Sequence, residues 1–208
     1  MITIYHMPRT RSVRLVWLME ELGEEYRIER LSMPVPESYL SVSPTGAIPA
    51  IDDGGIRMTG SIAILQYLTG RRLVAGDETA KALTVGPLPD PAAYAEHLQF
   101  LHFGEADLAT PISAIFRGQL AAKDGDPSNP TFDWLVGALA KRLAMLDNHF
   151  ADGRTWITGE NFTIADISIA YPLGRLETVK LEHLLTPNLA AYRARLQARP
   201  AYRRAAEV

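Results

Sequence analysis

Residues 43–68 read SPTGAIPAIDDGGIRMTGSIAILQYL and carry four backbone instructions. Pro44-Thr45-Gly46 is a turn signal. Ile48-Pro49 sets a proline at the mouth of a short apolar strand, a position tolerable only at an edge, an end or a cis bond. Asp52-Asp53-Gly54-Gly55 reads as a tight hairpin turn, with Asp-Gly supplying positive φ. Thr59-Gly60-Ser61 opens a helix that brings Ile62, Leu65 and Leu68 to one face. A loop, a proline, a hairpin and a helix N-terminus in succession can offer backbone donors and acceptors to a peptide-like ligand. The helix N-terminus is also a ready anion site, because its first N–H groups are unpaired and the dipole is positive there.

Working outward, Ile2 to Tyr5 is a short β-type run, and a helix follows from Thr10 or Ser12 to Leu22, ended by Gly23. Tyr26 to Leu31 is a second strand, so the chain opens with a right-handed βαβ unit. The hairpin and helix then complete a βαβ–ββα order. Residues 70–91 mix glycine, proline and charge with weak periodicity and read as a linker, with a helical turn near Glu78 to Leu83. Beyond it the strand signals vanish. Helices are expected over Ala92–Gly118, Phe132–Phe150, from Thr163, and over Pro187–Arg199, where Pro200 ends the last; residues 125–130 are a loop. The expected architecture is therefore an α/β domain followed by an all-α domain, with boundaries at 1–72, 73–90 (linker) and 91–208.

Of the 208 residues, 47% are apolar and 22% charged, with a net charge of −3, which is ordinary for a globular protein and gives no electrostatic reason for a nucleic-acid or anionic-membrane partner. The chain has no cysteine, which excludes disulfides, thiolate metal sites and a cysteine nucleophile of its own. MITIYHMPRT lacks the apolar core of a signal peptide, and no run has the length of a membrane span, so a cytoplasmic location is the simplest expectation.

The central stretch resembles the glutathione-binding half of the cytosolic glutathione S-transferases, in a bacterial-type member. Matching residues are Ser43, Pro44, Gly46, Ile48, Pro49, Ile51, Asp53, Gly54, Ser61, Ala63, Ile64, Tyr67 and Leu68. One departure is that Gly60 stands where the family carries an acid before the serine. A second match lies at Phe162-Thr163-Ile164-Ala165-Asp166-Ile167. There Thr163 and Asp166 form a capping box, Phe162 and Ile167 have the spacing of a hydrophobic staple, and the family has its folding motif. Replacing Asp166 is expected to cost about 1 kcal/mol or more. The resemblance implies a thioredoxin-like N-terminal domain and a helical C-terminal domain with the active site in the cleft between them. It also implies glutathione as co-substrate, no metal, and a homodimer to which the apolar faces of Ile62–Leu68 and Ala92–Phe103 are candidates for the interface.

By the same resemblance, Thr10 in Thr10-Arg11-Ser12-Val13-Arg14 falls where serine-type classes hold a serine and the bacterial cysteine-type class a cysteine. Its hydroxyl would donate to the glutathione sulfur and favour the thiolate, an effect of roughly 0.5–1.5 kcal/mol, or about one pKa unit. Ordinary N-capping is the competing reading, Ser12 is the runner-up donor, and Tyr5 is expected in the core. Ile48, ahead of a cis Pro49, would hold the cysteinyl backbone; Ser61 and Gly60 would meet the γ-glutamyl end. The acid lost at Gly60 leaves the ligand's ammonium in need of another partner, for which Glu105 of a second subunit is a candidate. Arg9, Arg11 and Arg14 read as a solvated basic face, as do the tail residues Arg193, Arg195, Arg199, Arg203 and Arg204. His97 and His102 lack a metal spacing and read as core, wall or interface; His6 is a candidate pocket residue. The expected function is attack of glutathione thiolate on a small hydrophobic electrophile, with residues of the helix around Phe103 lining its pocket, as in detoxification. Alternatives are a glutathione-dependent peroxidase, disulfide reductase or isomerase, and a non-catalytic protein that retains the fold for binding or scaffolding.

Overall fold

The computed structural model describes residues 1–122 and 129–208, so the loop expected at 125–130 lies, up to residue 128, outside the described residues. The chain divides into two compact units, residues 1–84 with 197–208, and residues 85–196.

The first unit is built on a four-stranded sheet of order β2-β1-β3-β4. Strand β1 (Ile2–His6) pairs parallel with β2 (Tyr26–Arg30), and antiparallel with β3 (Ala50–Asp53), which pairs antiparallel with β4 (Ile56–Thr59). The alternation in β1 buries Ile2, Ile4 and His6 together. Helix α1 (Val13–Leu22) makes the crossover, and Gly23 closes it in the left-handed conformation (φ 61°), with its N–H on Met19 O. The β3–β4 turn places Gly54 at φ 60° and Gly55 at φ 98°, the paired positive values of a two-residue hairpin. Asp52 accepts from Gly55 N–H at 2.8 Å. Helix α2 (Ser61–Val74) is tied to this hairpin, because Tyr67 donates to Asp53 at 2.9 Å. Two residues of the quoted stretch thus hold each other. A short α3 (Glu78–Ala82) follows.

Several readings need correction here. Ile62, Leu65 and Leu68 are buried in the chain itself and are not a free face for a second subunit. Phe100, Leu101 and Phe103 are likewise buried. The helix from Pro187 does end ahead of Pro200, at Ala198, but it is not the last: Pro200 takes the first turn of another, α9 (Pro200–Ala206), where a missing N–H costs nothing. Helix α9 packs on α1, with Tyr202 edge-on to Trp17. The tail arginines are accordingly not simply solvated. Arg199 makes a two-pronged pair with Glu21 (2.7 and 2.7 Å), and Arg204 pairs with Glu20.

The second unit is helical, with one isolated β-bridge (Trp156 with Gly159) among its described residues. Helices α4 (Pro91–Phe103) and α5 (Thr110–Ala121) are joined by a π-helical turn, Gly104–Ala109, instead of forming one uninterrupted helix. Gly104 is required by close packing, since a Cβ there would stand 2.4 Å from Ser168 Oγ. Helices α6 (Pro130–His149), α7 (Ile164–Arg175) and α8 (Pro187–Ala198) complete it. His97 is buried and His102 exposed. The capping box at α7 forms as expected. Buried Asp166 accepts from Thr163 N–H (2.8 Å), Thr163 Oγ1 (3.3 Å), Ile157 N–H (3.0 Å) and Tyr192 OH (2.7 Å). Burial nevertheless outweighs these donors and pushes its carboxyl up to about 6. Among the described residues, no helix is long and apolar enough to cross a membrane.

Candidate functional site

Three segments of the first unit carry the candidate residues. The first is the β1–α1 loop. Arg9 adopts φ 64°, an uncommon conformation for a residue with a side chain, and the chain turns there to bring Thr10 back on Met7, whose carbonyl accepts from Thr10 N–H at 3.2 Å. Thr10 does not cap α1. Its hydroxyl lies 2.8 Å from Met7 O and 2.8 Å from Ser12 Oγ, and accepts from Ser12 N–H at 3.3 Å. Thr10 is half-buried, whereas Ser12 is 0% exposed, so of the two candidate donors only Thr10 reaches solvent. Ser12 Oγ also lies 2.9 Å from His6 Nδ1, 3.1 Å from Met7 O and 3.2 Å from Met7 N. His6 is held neutral: burial, and then Arg30 directly across the parallel ladder, depress its pKa to about 4. Tyr5 packs its ring on Tyr39 (5.3 Å) within the cluster of Leu31, Val42 and Ala50, as expected of a core residue.

The second segment is the turn before β3. Gly46 takes φ 68°, and Ala47 O accepts from Tyr39 OH (2.6 Å) and Ser43 Oγ (3.0 Å). These bonds fix the loop just ahead of Ile48. The Ile48–Pro49 peptide is cis, as are Met33–Pro34 and Leu88–Pro89.

The third segment is the start of α2. Gly60 precedes it at φ 86°, and no side chain caps the helix. A Cβ at Gly60 would meet nothing within 4 Å, so the place of the missing acid is open space. Ser61 is buried, and its hydroxyl accepts from Arg14 Nη1 at 2.9 Å. Arg14 is only 1% exposed, which corrects its reading as a solvated arginine. Position and spacing gave no hint of this, because Ser61 lies 47 residues away. A buried guanidinium, a hydroxyl and bare helix N–H groups together favour an anion. His6 as a partner of Ser12 was legible in principle, since period-2 alternation from Ile2 carries it inward. Glu105, half-buried in the π-helical turn, belongs to the other unit.

The chain is similar to known proteins over most of its length. Residues 1–70 match the family model of the glutathione S-transferase N-terminal domain, and residues 129–195 that of the C-terminal domain. Glutathione S-transferase 3 of Schizosaccharomyces pombe is 28% identical over 227 aligned positions, covering 100% of this chain and 87% of that protein. Glutathione S-transferase GstA of Escherichia coli is 27% identical, covering 95% and 93%. The solved structure of a glutathione transferase family member from Pseudomonas fluorescens, with two glutathione bound, superposes with a TM-score of 0.79 at 27% identity, covering 99% of this chain and 92% of that one.

Proposed function

The chain belongs to the glutathione S-transferase family, and from that premise we propose that it activates glutathione for attack on a small hydrophobic electrophile. The observation that carries this reading is Thr10. Thr10 is partly exposed at the β1–α1 junction, and its hydroxyl is not spent on capping α1 and is backed by a fully buried Ser12. A hydroxyl proton donated to the glutathione sulfur favours thiolate over thiol. The thiolate then forms a C–S bond to the electrophilic carbon, and the leaving group departs with its electron pair. Ile48 would pair its backbone with the cysteinyl residue in the manner of an added strand, next to Pro49. Ser61, with Arg14 behind it and the uncapped start of α2 around it, would hold the γ-glutamyl carboxylate, and Gly60 would contribute backbone only.

Calorimetric titration of glutathione, with the ultraviolet thiolate band followed across pH in the same samples, tests the reading. Binding with a depressed thiol pKa is the expected result. Gly60 favours a second reading, a non-catalytic protein of this fold, because nothing at that position holds the ligand's ammonium. Absence of binding at millimolar glutathione, or binding with no turnover of any electrophile, peroxide or disulfide, would put that reading first. Turnover of peroxide or disulfide alone would instead assign a glutathione-dependent reductase.

A further inference from the structure

Resting on the Thr10 reading, we propose that His6 and Ser12 are positioning residues that turn Thr10 into a dedicated proton donor, through a one-way hydrogen-bond chain from His6 Nδ1 to Ser12 Oγ to Thr10 Oγ1 and out to the ligand sulfur. The argument is an accounting of hydrogens and lone pairs. A serine or threonine hydroxyl has one hydrogen to give and two lone pairs to fill.

Ser12 Oγ has two potential donors besides Thr10, Met7 N–H at 3.2 Å and the His6 ring nitrogen Nδ1 at 2.9 Å. If Nδ1 carries the hydrogen, these two fill both lone pairs of Ser12. The Ser12 hydroxyl hydrogen then goes to Thr10 Oγ1 (2.8 Å) or Met7 O (3.1 Å). Met7 O already accepts from Thr10 N–H, and it has one further place, taken in the free protein by the Thr10 hydroxyl at 2.8 Å. Ser12 therefore donates to Thr10. Thr10 Oγ1 now accepts twice from the same residue, from Ser12 Oγ–H and from Ser12 N–H at 3.3 Å. With both lone pairs filled it can offer an incoming sulfur only its proton. The hydrogen and the lone pairs turn together, so swinging the proton from Met7 O to the ligand gives up the longer accepted bond, from Ser12 N–H at 3.3 Å, keeps the one from Ser12 Oγ–H, and needs no movement of heavy atoms.

The opposite ring tautomer reverses the chain. With the hydrogen on Nε2, Nδ1 becomes an acceptor, Ser12 donates inward to it, and the lone pair freed on Ser12 draws the Thr10 proton inward as well. The surroundings of His6 select against this. Nε2 is buried and has no hydrogen-bond partner among the described residues, and a bare buried N–H is rarer and costlier than a bare acceptor. Burial and Arg30 also keep the ring from taking a second proton in the neutral range, so Nδ1–H is its one polar hydrogen. Such a chain is cooperative, each donated bond strengthening the next.

The test uses glutathione itself on the full chain, with three variants. His6→Leu removes the first donor and keeps an apolar side chain beside Ile2 and Ile4. His6→Asn puts an amide N–H close to the place of Nδ1. Thr10→Ala removes the final donor. The readouts are the pKa of bound glutathione from the thiolate band and the glutathione Kd from calorimetry. His6→Leu is expected to lower the thiolate fraction at neutral pH by about three- to tenfold with Kd changed less than about twofold. His6→Asn should restore most of that loss, which a purely structural histidine would not explain. Combining His6→Leu with Thr10→Ala should add nothing to Thr10→Ala alone. If His6→Leu fails to fold, Ser12→Ala cuts the same chain one link later. An unchanged thiol pKa in His6→Leu, with a raised one in Thr10→Ala, overturns the relay and leaves Thr10 as donor. An unchanged thiol pKa in Thr10→Ala overturns the donor reading, and the relay with it.

Discussion

Two helix starts in this protein use the same chemical vocabulary and end in opposite states. At α7, Thr163 and Asp166 close on each other, and the buried carboxylate collects two backbone N–H groups and two hydroxyls. At α1 and α2, in the other unit, the hydroxyls of Thr10, Ser12 and Ser61 leave the helix N–H groups uncapped. A threonine before a helix is therefore neither a cap nor a site by itself. The difference is where its hydrogen bonds go: at α7 they close on the helix's own N–H groups and stabilise the fold, whereas at α1 and α2 they go elsewhere and leave those N–H groups open to a ligand.

The comparison breaks most readily at its closed end. Asp166→Ala leaves four donors without their acceptor in a buried place, and the expected loss of stability is about 3 kcal/mol, read from denaturant midpoints. A loss under about 1 kcal/mol would mean that the box is no tighter than an exposed cap. Thr10→Ala should show the reverse pattern. Conjugation at neutral pH should fall about tenfold, while the melting temperature and glutathione affinity hardly move. A variant that melts early and still turns over would move Thr10 to the closed class.

Gly60→Glu sharpens the open end. The side chain would enter open space but must accept φ 86°, a strain of roughly 1–2 kcal/mol. Glutathione affinity should rise several-fold by calorimetry as thermal stability falls. Tighter binding without a stability cost would show that the backbone relaxes.

Acid titration offers the smallest and most discriminating effect. His6 and His97 are both depressed to about 4, by burial first, so each contributes stability that is present above about 6.5 and lost as pH falls through 4. Asp166 is raised to about 6, so its contribution has the opposite sign: present below about 4 and lost as pH rises through 6. In the second unit the two terms oppose each other; in the first, His6 has no such counterweight. Hydrogen exchange of peptides from each unit between pH 7 and pH 4 should therefore show the first unit losing more protection. Equal loss in both would deny Asp166 its raised value.

The parts of the fold legible in the sequence were those written in local chemistry. The glycine pair of the β3–β4 hairpin, the helix after Ser61 and the Thr163–Asp166 box all depend on residues within a few positions of one another. The β1–α1 loop was legible as a candidate site, with Thr10 and Ser12 as rival donors; burial separates them, and no local pattern could have done so. Arg14 was misread because its partner Ser61 is remote in sequence and a cluster with Arg9 and Arg11 looks solvated. The tail was misread for a related reason. Pro200 is as good at starting a helix as at ending one, and the choice is made by packing on α1.

That packing has a consequence in time. The Arg199–Glu21 pair joins residues 178 positions apart, and Tyr202 closes over Trp17 from the same tail. A ribosome delivers β1 to α2 first, yet the face of α1 that α9 covers stays bare until the whole helical unit has been made. The unit that holds Thr10, Ile48 and Ser61 is thus begun first and finished last. Loss of the tail, by truncation or proteolysis, would be felt at the far end of the chain, as a weakened α1 behind the Thr10 loop.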